Sequence, residues 1–133
     1  MLRVRRWTVR HARLFDRLYR WFEPLLLALQ PVWQRLGPER IEGPMAAVES
    51  GIKGLLFDCR MCGQCMLTSS GMSCPMNCPK QLRNGPCGGV RPDGHCEVRP
   101  EMPCVWVDAW AGSRQFPAGD TILVPQPPID ARL

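Results

Sequence analysis

Three features of the sequence predict a small, irregular, cysteine-rich metal-cluster domain, loop-dominated, with preceding N-terminal α-helices and an extended C-terminal tail. All eight cysteines fall between Cys59 and Cys104. Apolar residues recur at three- and four-residue steps from Thr8 to Leu36, the period of one helix face. Fourteen prolines and twelve glycines spread over 133 residues leave little room for one large core. A region with so little to bury is expected to be held by cross-links or metal, and to unfold without them.

The first element is the helical stripe Leu14, Leu18, Trp21, Phe22, Leu25, Leu29, Val32 and Leu36. Pro24 and Pro31 interrupt it, and a proline inside a helix loses a hydrogen bond and clashes with the preceding turn. Two shorter helices, or one strongly kinked one, are therefore expected. Trp7, Trp21, Phe22 and Trp33 are too bulky for forty residues to bury alone, so they are expected to pack on the cysteine region or on another protein. Gly37 to Gly43 (GPERIEG) reads as a linker. PMAAVESGIKGLLFDC, from Pro44, allows a short helix leading into the first cysteine. The cysteine segment is punctuated by Gly and Pro and keeps neither period, so loops and turns are expected there. After Trp110 only Thr121 to Val124 reads as a strand, and Pro125, Pro127 and Pro128 then force an extended tail, either disordered or laid across a partner. The chain thus divides into a basic helical segment and linker (1–43), a cysteine-rich domain (44–110) and a proline-rich tail (111–133).

Charge is as uneven as hydropathy. Residues 1–40 hold nine arginines against Asp16, Glu23 and Glu39, a balance of +6, whereas the remainder is close to neutral. Such a start suits nucleic acid, an anionic membrane surface or an acidic protein face. The arginines alternate with large apolar residues needed for packing, and the cysteine region is nearly neutral, so neither nucleic acid nor a membrane surface is expected as the partner. MLRVRRWTVRHARLF has no apolar signal-peptide core, and Leu25 to Leu29 is far too short to span a bilayer. A cytoplasmic, reducing compartment follows, where clustered cysteines more often serve metal or redox chemistry than disulfides.

The stretch CRMCGQC places Cys59, Cys62 and Cys65 at every third position. Structural zinc sites usually take cysteines as separated pairs. Three in succession look instead like the start of the CxxCxxCxxxCP run that wraps a [4Fe–4S] cube in bacterial ferredoxins. Here the next cysteine, Cys74, comes later than in that run, although Cys74 and Cys78 are each followed by proline as the fourth ferredoxin cysteine is. With Cys87, Cys96 and Cys104 the eight thiolates divide evenly into two clusters. Spacing does not say which remote cysteine completes the first, and zinc remains the alternative. In NGPCGG, Asn84 to Gly89, the glycines let the backbone approach Cys87 and aim N–H groups at sulfur; the same dipeptides also make ordinary turns. Lys80 and Arg83 could offset cluster charge or be merely solvated. Trp106 and Trp110 could shield a cluster or pack as core, and His95 reads as a loop histidine. No Ser/His/Asp set, phosphate-cradling glycine loop or zinc-protease motif is present, which fits an accessory subunit better than a catalyst.

From Leu55 to Trp106 the strings LFDCRMCGQCML, CPMNCPKQLRNGPCGG, GHCEV and PCVW resemble the C-terminal module associated with methylenetetrahydrofolate reductases, which in many bacteria is a small subunit beside the catalytic flavoprotein. The resemblance spans about fifty residues with every cysteine in place, and leaves out residues 1–40 and the tail. It implies that all eight cysteines are ligands framed by Lys80, Asn84, Gly85, Gly88 and Gly89. It also implies a partner, the flavin-bearing reductase subunit that interconverts 5,10-methylene- and 5-methyltetrahydrofolate, with an electron-donor protein as a further partner. The expected role is electron transfer through two [4Fe–4S] clusters. The alternative is a zinc- or cluster-stabilised scaffold.

Overall fold

The computed structural model describes residues 2–117 and 119–129, without the side chains of Leu36 and Pro38. The Leu36 end of the apolar stripe and residues 130–133 of the tail lie outside the described residues. Among the described residues the chain is helical and has no strand; His95 and Pro103 form an isolated bridge. The elements are α1 (Leu2–Arg10), α2 (Ala12–Ala28), α3 (Gln30–Leu36), α4 (Pro38–Phe57), a 3-10 turn at Pro75–Asn77, α5 (Val105–Ser113) and a 3-10 turn at Gly119–Leu123.

Two of the three prolines that were expected to shape the helices behave differently from the third. Pro31 sits in the first turn of α3, where a missing N–H costs nothing, and the chain breaks just before it at Leu29. Pro24 and Pro44, by contrast, lie inside α2 and α4 and do not end them. Each forfeits one backbone bond, which the helix propensity of the leucine-rich sequence after Pro24 and of the Ala-Ala pair after Pro44 outweighs. The linker expected at Gly37–Gly43 is corrected: Gly37, at φ 83°, breaks the chain alone, and α4 begins at Pro38 with Glu39 in its first turn, where a carboxylate favours the helix dipole.

α1 is the keystone between α4 and α5. Its buried face carries Arg5, Thr8 and Val9, followed by Ala12 at the start of α2. Thr8 Oγ1 bonds to the carbonyls of Arg5 (2.6 Å) and Leu56 (3.3 Å), which ties α1 to the last turn of α4. Gln115 Nε2 donates to the Val9 carbonyl at 3.0 Å from beyond α5. Phe15 meets Phe57 edge-on at 5.9 Å, in a cluster that includes Leu67 and Cys74. A second cluster joins Met66, Cys104, Trp106 and Ala109. The N-terminal helices therefore pack on the cysteine region through α1 and the first turn of α2, and the rest of α2 does not.

Asp108 is buried on α5 opposite Arg6, with Nε to Oδ1 at 3.9 Å. Burial holds its carboxyl above the usual range, while Arg6 and Arg5 pull the other way. The folded carboxyl therefore keeps its proton more readily than the unfolded one. Its stabilising contribution is full below the ordinary carboxylate pKa and is lost as pH rises through the raised folded value. Asp108→Asn is expected to flatten that descending limb in a plot of melting temperature against pH.

The strand expected at Thr121–Val124 is also corrected. Thr121 to Leu123 belong to the 3-10 turn Gly119–Leu123, and Val124 follows it with its N–H on the Thr121 carbonyl at 3.1 Å. A four-residue run with no neighbouring strand, followed by a proline that cannot donate, has no ladder to join. The tail then runs without regular structure, and Asn84 clamps it at Gln126: Nδ2 donates to the Gln126 carbonyl at 3.0 Å and Oδ1 accepts its N–H at 2.7 Å.

Candidate metal centre

α4 delivers the chain to the first cysteines by a left-handed close. Asp58 has φ 53°, with its N–H on the Gly54 carbonyl and the Cys59 N–H on the Lys53 carbonyl. The Asp58 bond is the single bond of a left-handed helix cap, with aspartate standing in for the usual glycine, and the Cys59 bond reaches one residue further back. Met61 (φ 47°) and Gly63 (φ 73°) are left-handed as well. Left-handed residues two to three positions apart keep the segment coiled, and the coil brings three thiols to one side where an extended chain would alternate them.

Cys59, Cys62, Cys65 and Cys74 line one cavity of about 240 Å³, together with Glu49 and Lys53 of α4, Met61 and Arg83. Cys78, Cys87, Cys96 and Cys104 line a second, much tighter space of about 10 Å³, with Lys80, Gly89, Glu97 and Trp106. The eight thiols thus line two cavities with no member shared, and Cys74 lines the same one as Cys59, Cys62 and Cys65. The 3-10 turn Pro75–Asn77 separates Cys74 from Cys78 and so hands one thiol to each quartet. Asn77 Nδ2 donates to the Phe57 carbonyl at 2.9 Å and fixes that turn on the end of α4.

None of the eight is in a disulfide. Among the described residues no three Cys, His, Asp or Glu side chains are gathered as tightly as the ligands of a single ion. In the first quartet the thiols surround a space. Burial pushes the Cys74 thiol pKa up, against the Met76 N–H, and the other three thiols of the quartet push it further. A metal bound there would have to displace the thiol protons, so loading would release protons. Met61 N–H already donates to Cys59 Sγ at 3.4 Å. Arg83 Nη2 donates to the Gln64 carbonyl at 3.3 Å, while its buried Nε has no partner. The Lys53 ammonium loses to burial but gains more from Glu49, Cys65 and Cys59, so its pKa is raised. Burial lowers the pKa of the Arg5 guanidinium, while the charges of Asp108, Asp58 and Cys74 pull the other way. A thiolate cluster, which carries net negative charge, fits this cationic surround, and the unpaired Arg83 donor gives it a hydrogen bond to accept.

In the second quartet Lys80 pairs with Glu97, whose carboxylate also faces Cys87 Sγ at 3.5 Å. Lys80 and then Cys87 hold the Glu97 carboxyl below its usual pKa. Sequence reasoning missed Glu97, although it follows Cys96 directly, because an exposed-looking glutamate carries no motif. It also missed Glu49 and Lys53, which are a helical turn or more before the first cysteine and reach the site only because α4 ends there. Of the residues expected to frame the ligands, Lys80 and Gly89 line the second cavity. Asn84, Gly85 and Gly88 line neither, and Asn84 holds the tail. His95 is engaged by Asp93, whose Oδ1 accepts its N–H at 3.0 Å. Trp106 is core, its indole N–H on the Leu82 carbonyl at 3.1 Å, and Trp110 lies outside under Arg114.

A family model described as methylene-tetrahydrofolate reductase C terminal matches residues 39–132. The match takes in all of the cysteines, almost the whole of α4 and the tail, and so reaches further than the fifty-residue resemblance. No curated protein and no solved structure matches the chain.

Proposed function

The chain belongs to the methylene-tetrahydrofolate reductase C-terminal family, and from that premise we propose that it is the iron–sulfur accessory subunit of a methylenetetrahydrofolate reductase complex in one-carbon metabolism. The observation that carries this reading is the sorting of eight thiols into two quartets around two separate cavities. [4Fe–4S] clusters bound there supply single-electron transfer to or from the flavin of the catalytic subunit. The chain's own residues do the rest. Each quartet supplies four thiolates, the Met61 N–H and the Arg83 guanidinium stabilise sulfur charge in the first, and Trp106 and Met102 keep water from the second. The chain itself is assigned no catalytic residue. Free thiols suit a reducing, cytoplasmic setting, and no helix among the described residues is long and apolar enough to cross a membrane.

The tightness of the second cavity favours a second reading for that quartet alone. A space of about 10 Å³ holds roughly one water-sized atom, so closure of its thiols on a single structural zinc competes with opening around a cube. Metal analysis of anaerobically purified protein tests both readings. About eight irons and eight sulfides per chain, with a visible band bleached by dithionite, is the expected result. About four irons, four sulfides and one zinc would assign zinc to one quartet. Colourless protein with about two zincs and no response to dithionite would make the module a scaffold and overturn electron transfer.

A further inference from the structure

The two quartets are built differently along the chain. In the first, Cys59, Cys62 and Cys65 share one coiled segment, and only Cys74 has to be brought to it. In the second, Cys78, Cys87, Cys96 and Cys104 come from four separate stretches, and the chain has no helix or strand between the 3-10 turn ending at Asn77 and the start of α5 at Val105. Contacts other than regular structure must hold those stretches in register.

Backbone bonds join two of them. The Cys96 N–H donates to the Met102 carbonyl at 3.0 Å and the Cys104 N–H to the Gly94 carbonyl at 2.9 Å. A single side chain reaches the other two. Glu97, directly after Cys96, pairs with Lys80, which lies two residues after Cys78, and its Oε1 accepts from Cys87 Sγ at 3.5 Å. The same carboxylate lies over Gly89, two residues after Cys87, where a Cβ would overlap it. A residue without a side chain is what lets the carboxylate sit on that stretch. When Cys87 gives up its proton to a metal, Lys80 keeps the join, because it is drawn first by Glu97 and then by the charges of Cys87 and Cys96.

We propose that Glu97 is the positioning residue of the second quartet, and that its carboxylate, seated over Gly89 and held by Lys80, keeps the Cys78, Cys87 and Cys96 stretches in register for one metal centre. This deepens the functional reading above and rests on it only in taking the second quartet as metal-binding, whether the quartet holds a cluster or zinc.

The test titrates the anaerobically purified, metal-loaded full chain with EDTA and reads the chelator concentration that removes half of each quartet's metal. In Glu97→Ala that concentration is expected to fall about ten- to a hundredfold for one quartet, the range for removing a group that orients ligands, and to stay unchanged for the other. Glu97 is exposed, so the variant should fold as the wild type does. Glu97→Asp keeps the charge but falls one methylene short of Lys80 and Gly89, and should lose metal as easily as Glu97→Ala. Gly89→Ala, which unseats the carboxylate from the opposite side, should do the same. Glu101→Ala, exposed nearby and lining neither cavity, is the control and should match the wild type.

Wild-type retention in Glu97→Ala overturns the positioning role and leaves the metal reading in place. Wild-type retention in Glu97→Asp would mean that charge alone is used, and overturns it too. Equal weakening of both quartets would mean a general loosening of the fold, again against the proposal. A wild-type chain that purifies without iron or zinc overturns the metal reading and the proposal together.

Discussion

Cys62→Ser is expected to cost the protein the metal of one quartet and to leave the other loaded, whereas Cys96→Ser is expected to do the reverse. The reason is geometric: each thiol lines one cavity and no thiol lines both. In the all-cluster reading each variant keeps about four irons and four sulfides. Each quartet has one cysteine in a core cluster, so both variants should lower the melting temperature; in the first it is Cys74, beside Phe57 and Leu67. Cys96 lies in a hairpin-like loop pinned by its N–H to the Met102 carbonyl at 3.0 Å and by the Cys104 N–H to the Gly94 carbonyl at 2.9 Å. Cys104, another member of that quartet, is buried among Met66, Trp106 and Ala109. Emptying either quartet should therefore disturb the core cluster its buried cysteine belongs to and lower the melting temperature. Metal analysis alongside thermal denaturation checks both parts. Loss of all metal from either single variant would mean that the quartets are not independent.

Gly71→Ala is expected to be the most damaging substitution away from the thiols. Gly71 has φ 58°, and a Cβ there would run into the backbone of Gly112 and Ser113 on α5. From the other side, a Cβ on Gly112 would strike the Gly71 carbonyl. Two backbones touch because neither residue has a side chain, and nearby Ser73 Oγ bonds to the Val105 carbonyl at 3.0 Å to hold α5 in place. Left-handed strain of about 1–2 kcal/mol adds to overpacking of about 1–3 kcal/mol against atoms that cannot rotate away. Together these approach the whole stability of a small domain. Gly88→Ala, with open space around it and no left-handed φ, is the control and should be close to neutral. Urea midpoints of the two variants compare them directly.

Much of the candidate site was legible because ligand chemistry is written in residue type. Thiols at every third position, proline after Cys74 and Cys78, and glycines around Cys87 mark a candidate metal-binding segment whatever the fold around it. The helical periods of α2 and α4 were legible for a similar reason, since apolar spacing reflects local geometry. Local rules misled at Pro24 and Pro44, where flanking helix-forming residues outweighed one lost hydrogen bond. They also misled at Thr121–Val124, where strand-like residues found no strand to pair with. GPERIEG looked like a linker because composition alone does not show that Pro38 and Glu39 open a helix that Gly37 sets apart.

The sequence by itself determined that eight thiols would be gathered after a helical, basic N-terminus, and it identified the family through the strings that carry them. Only the tertiary structure decided which thiols share a cavity, because Cys74 reaches the first three through the anchoring of its 3-10 turn on the end of α4, and Cys104 reaches Cys78, Cys87 and Cys96 through the packing of α5. Ligand identity is a property of single residues and survives without a fold. Partition into quartets is a property of distances between segments up to 26 positions apart, and such distances exist only once α1 has clamped α4 to α5.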